Sequence, residues 1–194
     1  MDNFSLAQAI NEKIEVGKNL LNQKKEINSS IRILYKTIKK KARIFLCGNG
    51  GSAADAQHLA AEFLVRLRPN KNRKPYAAIS LAMDTSTITA CGNDLGYENL
   101  FSRNLEALGT KKDVLIIIST SGNSKNIINV LKYAKKNKIF SIGFLGSNGG
   151  KAKNLCDINI IVQSSNVARI QEAHIFLGHF ILEKIEDLII KKKQ

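Results

Sequence analysis

Between Cys47 and His58 the chain reads CGNGGSAADAQH, and Glu62 follows four residues later. His58 and Glu62 stand at i and i+4, so on a helix they share one face. Their neighbours in AQHLAAEFLV are mostly apolar, a setting that does not call for a charged pair. The other histidines, His174 and His179, both fall within RIQEAHIFLGHFILEKIEDLII. Two histidines and a glutamate around one open position form a common catalytic zinc set. Either His174 or His179 completes such a set, leaving the other for the core.

A second group of reactive side chains lies downstream. Ser119, Thr120, Ser121 and Ser124 place four hydroxyls around Gly122, directly before the helical pattern KNIINVLKYA. Hydroxyls, free backbone N–H groups and the positive end of a helix make an anion site, for which phosphate is the common occupant. Upstream, Gly48, Gly50 and Gly51 allow the backbone to approach a small molecule, with Asn49 and Ser52 offering hydrogen bonds. Neither loop has the GxGxxG order or the GxxxxGK[ST] pattern, so nucleotide fingerprints are excluded.

The elements that must hold these groups are short and regular. ARIFLC (42–47), YAAISL (76–81), VLIII (114–118), IFSIGFL (139–145) and INIIV (158–162) are continuous apolar runs rich in β-branched residues, the pattern of strands buried on both faces of a parallel sheet. Helical patterns separate them. The economical solution is an α/β fold, one doubly wound domain over 1–194 with a five-stranded parallel sheet spanning 42–194. Both polar loops follow strands, so both belong at the carboxyl edge of the sheet, where ligands bind in such folds.

Residues 1–41 form a separate helical region. Ser5 and Gln8 have capping-box spacing, and Leu6, Ile10, Ile14 and Leu21 make one apolar stripe. Ile27, Ile31, Leu34 and Ile38 make a second. Stripes this regular pack either on the chain's own core or against helices of other subunits. RPNKNRKP (68–75) reads as the clearest exposed loop.

The net charge is +14, from 30 Lys and Arg against 16 Asp and Glu. The lysines cluster at expected helix ends and at the tail, where cations complement the helix dipole. With no tryptophan and few aromatics there is no stacking stripe for single-stranded nucleic acid, and a merely basic surface is the expectation. Three dispersed cysteines, Cys47, Cys91 and Cys156, suit reduced thiols. The start MDNFSLAQAI has no signal-peptide pattern and no run is long enough to span a bilayer, so a cytoplasmic location is expected.

GNGGSAADAQHLAAEF, ACGNDLGYENLFSR, STSGNS and RIQEAH ahead of GH, in this order over about residues 42–190, resemble the phosphoheptose isomerases, a branch of the sugar-isomerase (SIS) fold. STSGNS alone marks the wider fold, while RIQEAH with a histidine eight residues after Gln171 narrows it to this branch. The resemblance implies interconversion of sedoheptulose 7-phosphate and D-glycero-D-manno-heptose 7-phosphate through an enediol, supplying heptose precursors for lipopolysaccharide or capsule. It implies Glu62 as general base and His179 as general acid. It also implies one zinc per subunit on His58, Glu62, Gln171 and His179. Substrate contacts would fall on Asn49, Gly50, Gly51, Ser52, Glu62, Asn93, Asp94, Ser119, Thr120, Ser121, Ser124 and Gln171.

The chemistry suits those residues. Moving a proton between adjacent carbons needs a base, an acid and a group that stabilises the developing charge. A carboxylate held tightly by a metal is a poorer base, so Glu62 is expected to bind through one oxygen or to leave the metal when substrate arrives. On one continuous helix Gln171 and His179 would be separated by about 12 Å of rise and roughly 80° of rotation. Either the helix begins after Gln171 or the two come from different chains, as in a homotetramer with sites at subunit boundaries. Rival readings are a non-catalytic SIS adaptor of the replication-initiator-binding type, an isomerase for another sugar phosphate, and a sugar-phosphate sensor.

Overall fold

The computed structural model describes residues 5–191; the tail lysines Lys192 and Lys193 lie outside them. Five parallel strands form the sheet: β1 (Ile44–Gly48), β2 (Ala78–Ser80), β3 (Val114–Ser119), β4 (Phe140–Gly146) and β5 (Ile158–Val162), in the order β2-β1-β3-β4-β5. The helices are α1 (Leu6–Asn19), α2 (Lys24–Lys39), α3 (Gly51–Leu64), α4 (Thr85–Asp94), α5 (Leu100–Leu108), α6 (Lys125–Lys136) and α7 (Val167–Lys191).

Strand periodicity divides the interior in two. Ile44, Leu46, Ile116, Ile118, Ile142 and Phe144 point to one face, against α2, α3 and α7. Phe45, Cys47, Leu115, Ile117 and Leu145 point to the other, against α5 and α6. Because both faces are covered, β3 is buried along its whole length, which is why alternation is missing from its sequence. Cys47, Cys91 and Cys156 are all free thiols. None of the described helices is long and apolar enough to cross a membrane.

The strand order fixes where a ligand can sit. After β1 the chain moves out to β2, then returns to β3 on the other side of β1. Connections on the two sides of that point diverge, opening a crevice at the carboxyl ends of β1 and β3. Gly48 is in register with Ile118, so the two polar loops emerge side by side there.

The N-terminal stripes part company. Ser5 makes the expected capping box with Gln8, and Ile27, Ile31 and Leu34 of the second stripe are buried. Leu6, Ile10, Ile14 and Leu21 are instead exposed, at 77%, 49%, 47% and 60%. The face of α1 turned to the core is the neighbouring one, carrying Val16. The first stripe therefore does not serve this chain's own core. Gln23, between α1 and α2, accepts from Ile161 N–H and donates to Ile161 C=O, both at 2.7 Å. One side-chain amide thus acts as a short extra strand on the free edge of β5.

The loop over 68–75 lacks regular structure, as expected, but is not simply exposed. The Arg73 side chain is 1% exposed and pairs with Glu186, and Arg68 joins the same carboxylate. A composition rich in Pro, Asn and Lys hid one buried guanidinium, that of Arg73, and one half-buried, that of Arg68.

The turn after β4 braces the serine loop. A Cβ on Gly122, which has φ +63°, would stand 2.1 Å from the Gly149 carbonyl oxygen, and Ala152 N–H donates to Gly122 C=O at 2.9 Å. Gly122→Ala is predicted to destabilise the chain by about 1–3 kcal/mol through overpacking, read as a lower urea midpoint.

Candidate active site

Three helices start at the crevice. α3 leaves the glycine loop after β1, α6 leaves the serine loop after β3, and α7 begins at Val167, just beyond β5. Gly50 precedes α3 with φ +54° and ψ −123°, a conformation open to glycine alone at low cost. No side chain caps α3, and none caps α6 after Ser124. Both helix ends direct N–H groups and positive dipole toward the crevice.

The serine loop is partly self-supporting. Ser119 Oγ accepts from Gly122 N–H at 3.0 Å, and Ser121 Oγ accepts from Asn123 N–H at 3.2 Å. Each hydroxyl retains its own hydrogen for an incoming anion. Thr120 is half-buried beside them and Ser124 opens the helix.

Asn49 and Asn126 tie the two loops together. Asn49 Nδ2 donates to Asn126 Oδ1 at 2.9 Å, Asn126 Nδ2 donates to Asn49 Oδ1 at 2.8 Å, and Tyr97 O–H also donates to Asn49 Oδ1, at 2.9 Å. The Asn49 carbonyl is thereby committed to the protein, leaving one side-chain N–H and the loop backbone for a ligand. Asn126 and Tyr97 were not picked out from the sequence. The available signal was an asparagine, 2% exposed, in the first turn of an otherwise apolar helix face. Asn93 and Asp94 end α4, exposed, with Asn93 Nδ2 donating to Asp94 Oδ1 at 2.7 Å. Ser52 is buried under the loop.

The ionisable group assembles from α3 and α7. His58 Nε2 lies 2.9 Å from His179 Nε2, with the rings tilted at 52°, and 3.6 Å from Glu62 Oε1. Gly178 permits this approach: a Cβ there would fall 2.4 Å from Leu59 Cδ2. The neighbours of Leu59 and Gly178 in sequence are the two histidines. The His58 and Glu62 side chains are 50% and 23% exposed. A pair so placed contributes at most about 1 kcal/mol to stability, so folding does not explain it. Burial and the neighbouring His58 hold His179 below the usual histidine range. One turn before His58, Asp55 places Oδ2 in the interior without a hydrogen-bond partner, and burial raises its pKa. Its spacing of three from His58 and seven from Glu62 was a missed signal.

His174, the alternative third histidine, belongs to the core. It is fully buried 6.3 Å from Phe144, and burial pushes its pKa down to about 4, with only the Leu145 backbone opposing. Gln171 sits elsewhere on α7, its Nε2 filling the space a Gly51 Cβ would need, at 2.5 Å. Since α7 runs unbroken from Val167 to Lys191, the option of a helix starting after Gln171 is ruled out. Within one chain Gln171 and His179 stand two turns apart.

Among the described residues no three His, Cys, Asp or Glu side chains form a closed cluster. The two imidazole nitrogens meet directly at 2.9 Å, whereas two nitrogens on one tetrahedral zinc stand about 3.3 Å apart, given Zn–N of about 2.0–2.1 Å. A shift of a few tenths of an ångström in the half-exposed His58 ring separates the two states, so His58, Glu62 and His179 fit such an ion.

Residues 8–146 match the model of the SIS domain family. The phosphoheptose isomerase of Clostridium acetobutylicum is 45% identical across 100% of this chain and 98% of its own length. Phosphoheptose isomerase 2 of Campylobacter jejuni is 47% identical, over 97% of this chain and 92% of its own. Among solved structures, the phosphoheptose isomerase of Neisseria gonorrhoeae superposes with a TM-score of 0.87 at 36% identity, covering 94% of this chain and 97% of that one.

The buried histidine gives a pH signature. Below the ordinary value of 6.5 the unfolded chain takes up a proton that folded His174 refuses until about pH 4. Stability is therefore predicted to fall by on the order of 3 kcal/mol between pH 6.5 and 4 and to level off below. In urea unfolding across that span, the difference between the unsubstituted protein and His174→Leu should follow this curve.

Proposed function

This chain belongs to the phosphoheptose isomerases, a branch of the SIS-domain family, and is an aldose–ketose isomerase; from that premise we propose that it interconverts sedoheptulose 7-phosphate and D-glycero-D-manno-heptose 7-phosphate. The product feeds heptose precursors of lipopolysaccharide or capsule, in the cytoplasm. The observation that carries the reading is the meeting of Glu62, His58 and His179, from two helices, beside two loops built for an anion.

The phosphate sits on the hydroxyls of Ser119, Thr120, Ser121 and Ser124 and on the open N-terminus of α6. Its binding energy orients the far end of the sugar, where the glycine loop, Asn93, Asp94 and Gln171 contact hydroxyl groups. Glu62 removes the proton from the carbon next to the carbonyl and returns it to the neighbouring carbon, passing through an enediol. His179, kept neutral near pH 7 by burial and by His58, moves the proton between the two oxygens. A single zinc would be held by His58, Glu62 and His179, with Gln171 from a second copy. When bound, it supplies Lewis-acid stabilisation of negative charge on the substrate oxygen. Glu62 would keep its basicity if the metal, when bound, left one of its carboxylate oxygens free.

We assign the assembly as a homotetramer with sites at subunit boundaries. The exposed stripe of α1 supports this, as does a cavity of about 500 Å³ lined by Ile10, Ile14, Phe176 and His179. The separation of Gln171 from His179 on one rigid helix points the same way.

Three measurements test the reading. Incubated with sedoheptulose 7-phosphate and followed by NMR, the protein should form the aldose, and chelator should stop it. Glu62→Gln should lower kcat by at least about 100-fold while calorimetry still detects substrate binding. Unchanged turnover in that variant removes Glu62 as base. Phe176→Glu should convert the tetramer to smaller species by light scattering and abolish turnover with them; an active monomer would overturn the shared site.

A further inference from the structure

We propose that Arg73 is a positioning residue for the reaction, a latch that fixes the backbone of Glu62 and sets the height of α3 against α7. The inference rests on the assignment of Glu62 as base.

Helix α3 ends without the usual device. Its last carbonyls need partners, and where many helices place a left-handed glycine the chain reads FLVRLRP, with Val65 after the last helical residue at φ −96°. The backbone N–H of Tyr76 donates to the Phe63 carbonyl at 3.1 Å, and Arg73 supplies the side-chain partners. Its Nη2 donates to the carbonyl of Glu62 itself at 2.6 Å, and its Nη1 to that of Phe63 at 3.0 Å. Its Nε donates to Glu186 Oε1 at 2.7 Å.

Glu186 is fully buried on α7, seven residues after His179 and so on nearly the same face two turns on. The guanidinium therefore bridges the two helices that carry the reacting groups. Its plane is held in turn by the Tyr76 ring, 4.0 Å from the centroid, and Arg68 takes the second oxygen of Glu186 at 2.8 Å.

The chemistry of the side chain matches this work. Three directional donors in one rigid plane fix three acceptors at once; a lysine ammonium beside Glu186 cannot reach both carbonyls as well. A carboxylate that must meet a C–H proton tolerates little error, since about 1 Å of misplacement can cost about 100-fold in rate.

The test uses the purified full chain. Arg73→Lys should lower kcat by about 10-fold to 100-fold and leave KM within about three-fold, because the phosphate loop is untouched. Combined with Glu62→Asp, which also misplaces the carboxylate, the losses in kcat should be clearly less than multiplicative. Arg73→Lys with kcat within about two-fold of the unsubstituted protein and only a lowered Tm would overturn the proposal, as would fully multiplicative losses. Should Arg73→Lys not fold, Glu186→Gln carries the test, with the same split between kcat and KM expected and an unchanged kcat overturning it. Glu62→Gln run in parallel separates the premises. Its full activity would remove the base, whereas its inactivity beside a fully active Arg73→Lys removes only the latch.

Discussion

Everything at the reactive end of this chain depends on how closely α3 and α7 can approach. Gly178 has no side chain, and Leu59 occupies the space where one would be. With the helix backbones that near, the residues next to the contact, His58 and His179, bring ring nitrogens to 2.9 Å. Close packing of a glycine against a buried leucine thus sets how near the two helix backbones stand, and with it the separation of the two imidazoles.

The same contact explains why polar residues are affordable here. Glu186 and the Arg73 side chain are removed from water almost completely. Such a pair adds little net stability compared with apolar packing, although breaking it costs about 3–5 kcal/mol. Its directional bonds specify one relative placement of α3 and α7, which a greasy interface that can slide would not. The Asn49–Asn126 pair plays a similar part between the loops, joining the glycine loop after β1 to the first turn of α6 after the serine loop.

The exposed stripe on α1 and the cavity beside His179 form one continuous apolar surface. Leu6, Ile10 and Phe176 are unusual as solvent-facing residues in a chain with net charge +14. Gln171 and His179 divide along α7 in the same region. The proposed site completed by a second copy would account for both features with one contact.

The sequence by itself determined the layers and the edge. Five β-branched runs, separated by helical patterns, dictate a parallel sheet, and all five strands form at or within two residues of the expected limits. That follows because hydrophobic period and strand burial are local properties of the chain. The loops that follow β1 and β3 were legible for the same reason, as was the helical sharing of His58 and Glu62. Residue types left His174 and His179 open and only the resemblance favoured His179; the tertiary structure decides between them physically, because both lie on one helix and only its rotation against α3 distinguishes core from crevice. It alone showed that the stripe on α1 faces outward, and that Arg73, in a segment whose composition reads as solvated loop, is folded inward. Those outcomes depend on contacts between residues as far apart as His58 and His179, 121 positions along the chain, which no local pattern encodes.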